Sequence, residues 1–340
     1  MLETAISRSA LDYCSCDHAA IAESKPDNDE APELWSNVEP RPESVAGYRI
    51  LEEIGSGAMS CVYRAEGPDG QHVAIKIQDF EALIKPWAAR RFECEAEITS
   101  LFDHPSIVSL FDSGTLDDGR GFLVLEMVEG TSLKEHIGSH GMALETALET
   151  FAEISEALAT VHEAGVVHGD LKPQNIMIDG NGRPRLIDFG LALRLQTDDG
   201  SEMPEGSLAG TPAYMSPEQI ESRTLDCQSD VFALGTLLYT MLSGKTPFRR
   251  KTMLGVLSAI VHDEPEDLLA WRGDLCPAVA GVVHKALTKG RRKRFGSVCE
   301  MMKALEKARC PATVHRMPWW RLVAATAASL GWSAGLSTYF

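Results

Sequence analysis

An α+β fold of two unequal lobes is predicted for this chain, and three observations predict it. A strand-patterned stretch of about 80 residues comes before a helix-patterned stretch of about 180, and segregated runs of that kind mark α+β architecture rather than an alternating parallel sheet. An apolar share of 44 % over 340 residues suffices for a sizeable core, in one large domain or two small ones. Composition also breaks twice, at an acidic leader before residue 47 and at an uncharged stretch after residue 321.

The elements follow in order. Residues 1–46 are rich in Glu, Asp, Ser, Pro and Ala without a sustained helical or strand period, so they are expected to form a disordered acidic leader. Order is expected from residue 48, with a first strand over 48–54 that runs into two glycines. Residues 61–65 and 72–77 alternate as strands do. Residues 87–101 fit an amphipathic helix with Phe92, Ala96 and Ile98 as its apolar side, and 121–126 read as a buried strand. From Ser132 the pattern turns mostly helical. Residues 144–164 place Ala147, Phe151, Ile154, Leu158 and Val161 on one face. A second apolar helix is expected over 230–242, and helical segments continue to Lys307; no internal repeat interrupts them. The expected division is a leader (1–46), a folded domain (47–309), a basic and aromatic linker (310–321) and a candidate C-terminal transmembrane helix (322–340).

Charge and cysteine content exclude several functions. The formal charge of −17 argues against nucleic acid as a principal partner, because phosphate contacts need a basic surface. The first 47 residues hold ten acidic and three basic groups, so the remainder carries −10 (−17 minus −7). The eight cysteines match no disulfide framework or zinc cluster, and reduced thiols in a cytoplasmic compartment are expected. Cys14-Ser15-Cys16-Asp17-His18 lacks a fourth metal ligand. Glu3 and Asp12 without an apolar run speak against a secretory signal.

The densest chemistry lies in His168-Gly169-Asp170-Leu171-Lys172-Pro173-Gln174-Asn175, followed thirteen residues after Asn175 by Asp188-Phe189-Gly190. Phosphoryl transfer from a metal-bound nucleotide needs such a set. A carboxylate must orient and deprotonate the attacking hydroxyl, a cation must sit at the migrating phosphate, and magnesium needs two oxygen ligands. The constellation resembles the catalytic and metal-binding loops of protein kinases. Further upstream, Gly55-Ser56-Gly57-Ala58-Met59-Ser60-Cys61-Val62 resembles the glycine-rich loop of that family, although a plain β-hairpin turn would also use these glycines. Its distance from Val73-Ala74-Ile75-Lys76 favours the phosphate-binding reading. Over 48–309 the chain is similar to bacterial-type (eukaryotic-like) serine/threonine protein kinases, through Val62-Tyr63-Arg64-Ala65, Arg91-Phe92 and His104-Pro105-Ser106-Ile107-Val108.

The resemblance implies a bilobal protein kinase fold, with a small β-rich N-lobe, a larger helical C-lobe, and ATP and Mg²⁺ in the cleft. It implies that Ile54, Gly55, Ser56, Gly57, Ala58, Met59, Ser60, Cys61 and Val62 cover the nucleotide, with Ala74 on the adenine pocket. Lys76 would hold the α- and β-phosphates and pair with Glu95. Glu93 and Glu97 are poor substitutes, since positions two apart on a helix face different ways. Glu126 and Met127, with Val128, would form the hinge that hydrogen-bonds adenine through its backbone, and Leu125 would guard the pocket behind. Asp170 would accept the substrate hydroxyl's hydrogen bond, Lys172 would neutralise the γ-phosphate, and Asn175 and Asp188 would ligate magnesium. His168 and Phe189 would pack the loops. Cys61 reads as a small packing residue rather than a redox switch, since Arg64 is its sole basic neighbour in sequence.

Two departures stand out. Ser60 replaces the third glycine of the loop, and Gly169 replaces the arginine that in most protein kinases gathers a phosphorylated residue of the activation segment. His-Gly-Asp also occurs in small-metabolite kinases of this fold. Against that reading, Gly210-Thr211-Pro212-Ala213-Tyr214-Met215-Ser216-Pro217-Glu218 resembles the peptide-positioning segment of protein kinases, and Thr211 with Lys172 matches the serine/threonine pattern. Glu218 would pair with Arg294, and Asp230 would tie back to the catalytic loop. The implied activity is transfer of the ATP γ-phosphate to Ser and Thr hydroxyls of proteins, the enzyme itself included, in bacterial signalling. The alternatives are a pseudokinase scaffold and a small-molecule phosphotransferase.

Residues 322–340 carry no formal charge over a length at the lower end of a membrane span. Ala327, Gly331 and Gly335 form a small-residue stripe suited to helix self-association. Trp319 and Trp320 suit an interface, and basic residues on the N-terminal side would keep the kinase domain cytoplasmic at the inner face of the cell membrane. Relatives of this type commonly work with a partner phosphatase and a phosphothreonine-binding protein, which the resemblance implies and no residue here displays.

Overall fold

A computed structural model of the chain describes residues 42–57, 59–195 and 210–309. The N-lobe strands are β1 (Ser44–Val45), β2 (Tyr48–Ser56), β3 (Ser60–Glu66), β4 (His72–Gln78), β5 (Leu110–Thr115) and β6 (Gly121–Glu126). They form one antiparallel sheet in the order β1-β2-β3-β4-β6-β5. The alternation of β4 decides which side chains meet the cleft. Val73, Ile75 and Ile77 are at most 1 % exposed and join Ile50, Ala65 and Val124 in the N-lobe core. A strand's side chains alternate between faces, so Ala74 and Lys76 project from the other side of the sheet.

A short helix, α1 (Phe80–Leu83), leads to α2 (Pro86–Thr99), with Pro86 at the first turn, where its missing N–H costs nothing. The buried residues of α2 are Ala88, Arg91, Phe92, Cys94, Glu95, Ile98 and Thr99. Glu95 therefore lies on the inward stripe, three or four residues from Arg91, Phe92, Ile98 and Thr99.

The C-lobe begins with β7 (Gly130–Ser132) and α3 (Leu133–His136), then α4 (Leu144–Glu163). All five apolar positions expected on one face of α4 are fully buried. Four short strands follow: β8 (Val166–Val167), β9 (Ile176–Asp179), β10 (Pro184–Leu186) and β11 (Leu193–Arg194). They pair as β10-β9-β7 and β11-β8 and hold the loops between them at fixed register. The remaining helices are α5 (Pro217–Ile220), α6 (Cys227–Ser243), α7 (Met253–His262), α8 (Leu268–Trp271), α9 (Pro277–Ala286) and α10 (Val298–Ala308). Every residue of α6 from Ser229 to Ser243 is buried, so this helix is the centre of the C-lobe core, which it shares with α4, α9 and α10. It begins three residues earlier than its apolar run, because the Asp226 side chain caps it by accepting from the Gln228 N–H at 2.9 Å.

One expectation needs correction. Order does not wait for residue 48: Ser44 and Val45 pair with Arg49 and Tyr48, and Val45 is 2 % exposed. Ala46 and Gly47 make the two-residue turn with φ of 50° and 85°. Both angles match the hairpin twist, but Ala-Gly is not among the usual sequences for such a turn, so the hairpin is hidden from the sequence. The leader through residue 41, Ala58, and everything from residue 310, including the candidate span, lie outside the described residues. Among the described residues no helix is long and apolar enough to cross a membrane. The described cysteines, Cys61, Cys94, Cys227, Cys276 and Cys299, are unbridged.

Candidate active site

The chemistry-bearing side chains gather in two charged clusters. In the first, the Lys76 ammonium on β4 donates to both Glu95 oxygens, at 2.6 and 2.8 Å, and to Asp188 Oδ1 at 3.1 Å. These residues come from β4, α2 and the loop after β10. Arg91, one turn before Glu95, donates from Nε to the Gly190 carbonyl at 3.2 Å and so ties α2 to the same loop. Glu93 and Glu97 turn the other way and share Arg90, each at 3.0 Å.

Two carboxylates around one ammonium cannot be equally served, and burial decides between them. Glu95 is 5 % exposed and Asp188 34 %. Burial, ahead of the attraction of Lys76, pushes the Glu95 carboxyl up to about 7. Asp188 resists its own desolvation because Lys76 and the Gly190 N–H hold it below the usual carboxylate range. Burial alone would lower Lys76, but the charges of Asp188 and Glu95 keep it above its ordinary value. Only ionised Glu95 holds Lys76 as a partner charge. The kcat/KM for nucleotide, which reports the free enzyme, should therefore fall as pH is lowered through about 7. Glu95→Gln should be slow at every pH and lack this limb. A wild-type profile flat from about pH 6 to 8 would count against the assignment.

In the second cluster, Lys172 donates to Asp170 Oδ2 at 2.6 Å, while Asn175 Nδ2 donates to the Asp170 carbonyl at 3.0 Å and to Oδ2 at 3.1 Å. Asn175 closes the single 3₁₀ turn Pro173–Asn175 that leads into β9. Its amide nitrogen is committed to Asp170, and its Oδ1 is left as a hard oxygen donor. From the far side the Thr211 N–H approaches Asp170 Oδ1 at 3.4 Å, so the segment after residue 210 abuts the carboxylate.

The loop that holds Asp170 is braced from below. Asp230, at the start of α6 and 1 % exposed, accepts from the His168 N–H at 2.8 Å and the Gly169 N–H at 2.9 Å. His162 Nε2 reaches the same carboxylate at 2.8 Å. Burial works against a charge on this imidazole, but the hydrogen bond to Asp230 prevails and raises its pKa to about 10. Nothing in the sequence reading singled out His162, which lies one turn of α4 beyond Leu158 and three beyond Phe151. His168 packs on Phe189 at 5.1 Å, and Phe189 stacks on Phe102 at 5.5 Å. Gly169 has φ +74°, and a Cβ there would lie 2.9 Å from the Leu191 carbonyl oxygen. An arginine would need the left-handed backbone at a cost of about 1–2 kcal/mol as well as a shift of Leu191.

The expected nucleotide-side residues lie together on β4 and at the end of β6. Ala74, Leu125 and Val128 belong to one apolar cluster with Val108 and Ile187. Glu126 and Met127 are half-buried at the end of β6. The Glu126 N–H already donates to the Ser109 carbonyl at 2.9 Å. Its side chain accepts from the Ser109 N–H at 3.2 Å and from Arg185, which also donates to the Ile107 carbonyl at 3.1 Å. This clamp between hinge and β10 was not legible, because Arg185 reads as an ordinary exposed strand residue.

Residues 54–57 and 59–62 belong to the ends of β2 and β3 that meet here, with the Gly57 N–H donating to the Ser60 carbonyl at 2.9 Å and the Met59 carbonyl held by the Asp79 N–H at 3.0 Å. Gly55 and Gly57 have no left-handed φ, and the nearest atom to an added Cβ is Ser60 O, 3.6 Å from Gly57. The hairpin thus has no need of either glycine for itself. Cys61 is half-buried, and burial followed by the negative charge of Asp79 pushes its thiol up to about 11, so it is held as an unreactive thiol.

Residues 48–307 match the family model for the protein kinase domain. The chain is 33 % identical over 259 residues to the serine/threonine-protein kinase PknB of Mycolicibacterium smegmatis, covering 75 % of this chain and 41 % of that one. It is 35 % identical over 256 residues to the serine/threonine-protein kinase PrkC of Bacillus subtilis, covering 75 % and 39 %. It is 35 % identical over 268 residues to the serine/threonine-protein kinase pkn2 of Myxococcus xanthus, covering 77 % and 32 %. The chain therefore spans less than half the length of each of these relatives. Matched span, identity and fold agree, and the chain belongs to the protein kinase family, in the group of its bacterial serine/threonine members.

Proposed function

We propose that this protein is an ATP- and Mg²⁺-dependent serine/threonine protein kinase that phosphorylates proteins, itself included. The observation that carries the reading is the assembly of two clusters, Lys76–Glu95–Asp188 and Asp170–Lys172–Asn175, each from residues separated in sequence or held by one loop. The Asp188 carboxylate and Asn175 Oδ1 are hard oxygen donors of the kind magnesium takes, and they would hold it. The bound magnesium–nucleotide supplies the γ-phosphoryl group and shields the charge between phosphates. Lys76, kept charged and aimed by Glu95, holds the phosphate oxygens. Asp170 accepts the substrate hydroxyl's proton, and Lys172, 2.6 Å from it, balances charge on the transferring group. The two glycines that the hairpin itself does not need leave room for its backbone N–H groups to approach phosphate. Catalysis on this reading is positioning together with fixed charge aimed at the transfer.

Two alternatives are disfavoured by specific residues. A pseudokinase scaffold would have no use for the intact set Lys76, Asp170, Asn175 and Asp188. A small-molecule phosphotransferase would not need the buried segment around Tyr214, Met215 and Ser216 that abuts Asp170 through Thr211. Labelled ATP with a protein substrate, and in parallel with a panel of small metabolites, separates the three. We expect label in protein; label confined to metabolites, or absent from both, rejects the proposal.

The uncharged tail, flanked by Trp319, Trp320 and Arg321, supports a second proposal, that residues 322–340 anchor the kinase domain to the cytoplasmic face of a membrane. The protein should then stay with membranes through alkaline carbonate extraction, and a chain ending at residue 309 should not. Full release of the complete chain would overturn this.

A further inference from the structure

Lys289-Gly290-Arg291-Arg292-Lys293-Arg294 gathers five cations into six residues of a chain whose formal charge is −17. Arg294 is consumed internally by Glu218, at 2.7 and 2.9 Å. The other four line a concave cavity of about 560 Å³, together with Arg223, Pro217 and Glu221. Five cations thus meet two carboxylates, Glu218 and Glu221, and both carboxylates are already engaged. Glu218 holds Arg294, and Glu221 pairs with Arg223 at 3.2 Å.

The cations are not equivalent. Arg291 is tied to Asp226 at 2.8 Å. Lys289 turns its ammonium inward to the Ile260 carbonyl at 2.6 Å and over the Phe248 ring at 3.6 Å. Arg292 and Lys293 are exposed and make no ion pair or side-chain hydrogen bond among the described residues. Two cationic arms therefore stand free at the rim of a cavity whose inner cations are held in place.

We propose that this cavity docks an acidic stretch of the protein substrate. The proposal rests on the protein kinase reading and names a substrate feature for it. The cavity wall includes Pro217 and Glu218 of α5, which continues directly from the segment that abuts Asp170. A polypeptide lying along that segment can place carboxylates here while its hydroxyl sits at Asp170. A concave site with several spaced cations fits a chain of carboxylates. A lipid surface would call for a flat or convex basic face.

The test uses the full chain and two fluorescent peptides that share one Ser/Thr acceptor sequence, one with a Glu/Asp tail and the other with a Gln/Asn tail. Anisotropy at low salt should show at least about tenfold tighter binding of the acidic peptide, weakening as salt screens the charges. Arg292→Glu combined with Lys293→Glu should abolish that preference while phosphorylation of the neutral peptide continues at the wild-type rate. Equal binding of both peptides by the wild type overturns the proposal, as does a preference that survives in the variant. So does a variant that loses binding to phosphatidylserine vesicles but keeps its peptide preference. Anisotropy reads no chemistry, so failure of docking is distinct from failure of the kinase reading, which would leave both peptides unlabelled.

Discussion

Asp170→Asn and Lys76→Ala are each expected to reduce phosphoryl transfer by at least about a hundredfold while the protein stays folded. The loss of a positioned base costs about 10²–10⁴ in rate, and the loss of one fixed charge at the transferring group about 10²–10³. Asp170→Asn keeps the shape and the contacts of Lys172 and Asn175 but cannot accept a proton. Lys76→Ala is the more severe test of folding, since it leaves Glu95 buried without its ion-pair partner. The site has a way out. Glu95 already titrates near 7, so it takes up a proton instead of remaining a buried anion. The measurements are autophosphorylation and phosphosite mapping beside thermal melts of the same preparations. Near-normal turnover in either variant would remove that residue from its role. A collapsed melt for Lys76→Ala would show that the cluster is structural first.

Arg294→Ala is expected to act on stability instead, with a loss of about 3–5 kcal/mol, the usual cost of leaving one partner of a buried ion pair alone. Glu218 and Arg294 are 2 % and 3 % exposed, so little solvent screening reduces the effect. The guanidinium is saturated: Nε donates to the Thr288 carbonyl at 2.6 Å, Nη1 to Gln228 O at 3.0 Å and Nη2 to Lys289 O at 3.0 Å, beside the two bonds to Glu218. Truncation therefore takes a donor from three carbonyls and two from the Glu218 carboxylate, which keeps Ser229 Oγ at 2.8 Å and Arg291 at 3.7 Å. At about 2–4 °C per kcal/mol, the melting midpoint should drop by roughly 10 °C. Arg294→Lys should recover only part of this, because an ammonium cannot reproduce the planar fork. Arg294→Met with Glu218→Met removes both charges and should be milder than either single change. A midpoint within about 2 °C of wild type for Arg294→Ala would show that the pair is dispensable.

Much of the site was legible because its chemistry is written in short runs. The family resemblance pointed to Glu95 and helix spacing set Glu93 and Glu97 aside; of the three, only Glu95 is among the buried residues of α2. Strand alternation likewise put Lys76 on the face opposite Val73, Ile75 and Ile77. What escaped notice has no local signature. His162 joins Asp230 across 68 positions of sequence, and Arg185 joins Glu126 across 59. Neither residue stands in a run that differs from ordinary helix or strand surface. The turn at Ala46–Gly47 escaped for a related reason: its residues are not the ones that usually take its angles, and the pairing of the flanking strands holds them there.

The sequence by itself determined which chemical groups this protein carries and the secondary elements that carry them, because helix and strand periods act over a few residues and assign each side chain a face. Only the tertiary structure decided how those groups share charge. Lys76 and Asp188 lie 112 positions apart, and packing α2 against the sheet is what brings Glu95 to the same ammonium. Desolvation depends on everything that surrounds a group, so the raised carboxyl of Glu95, the charged imidazole of His162 and the free arms of Arg292 and Lys293 emerge only once both lobes have closed around their neighbours.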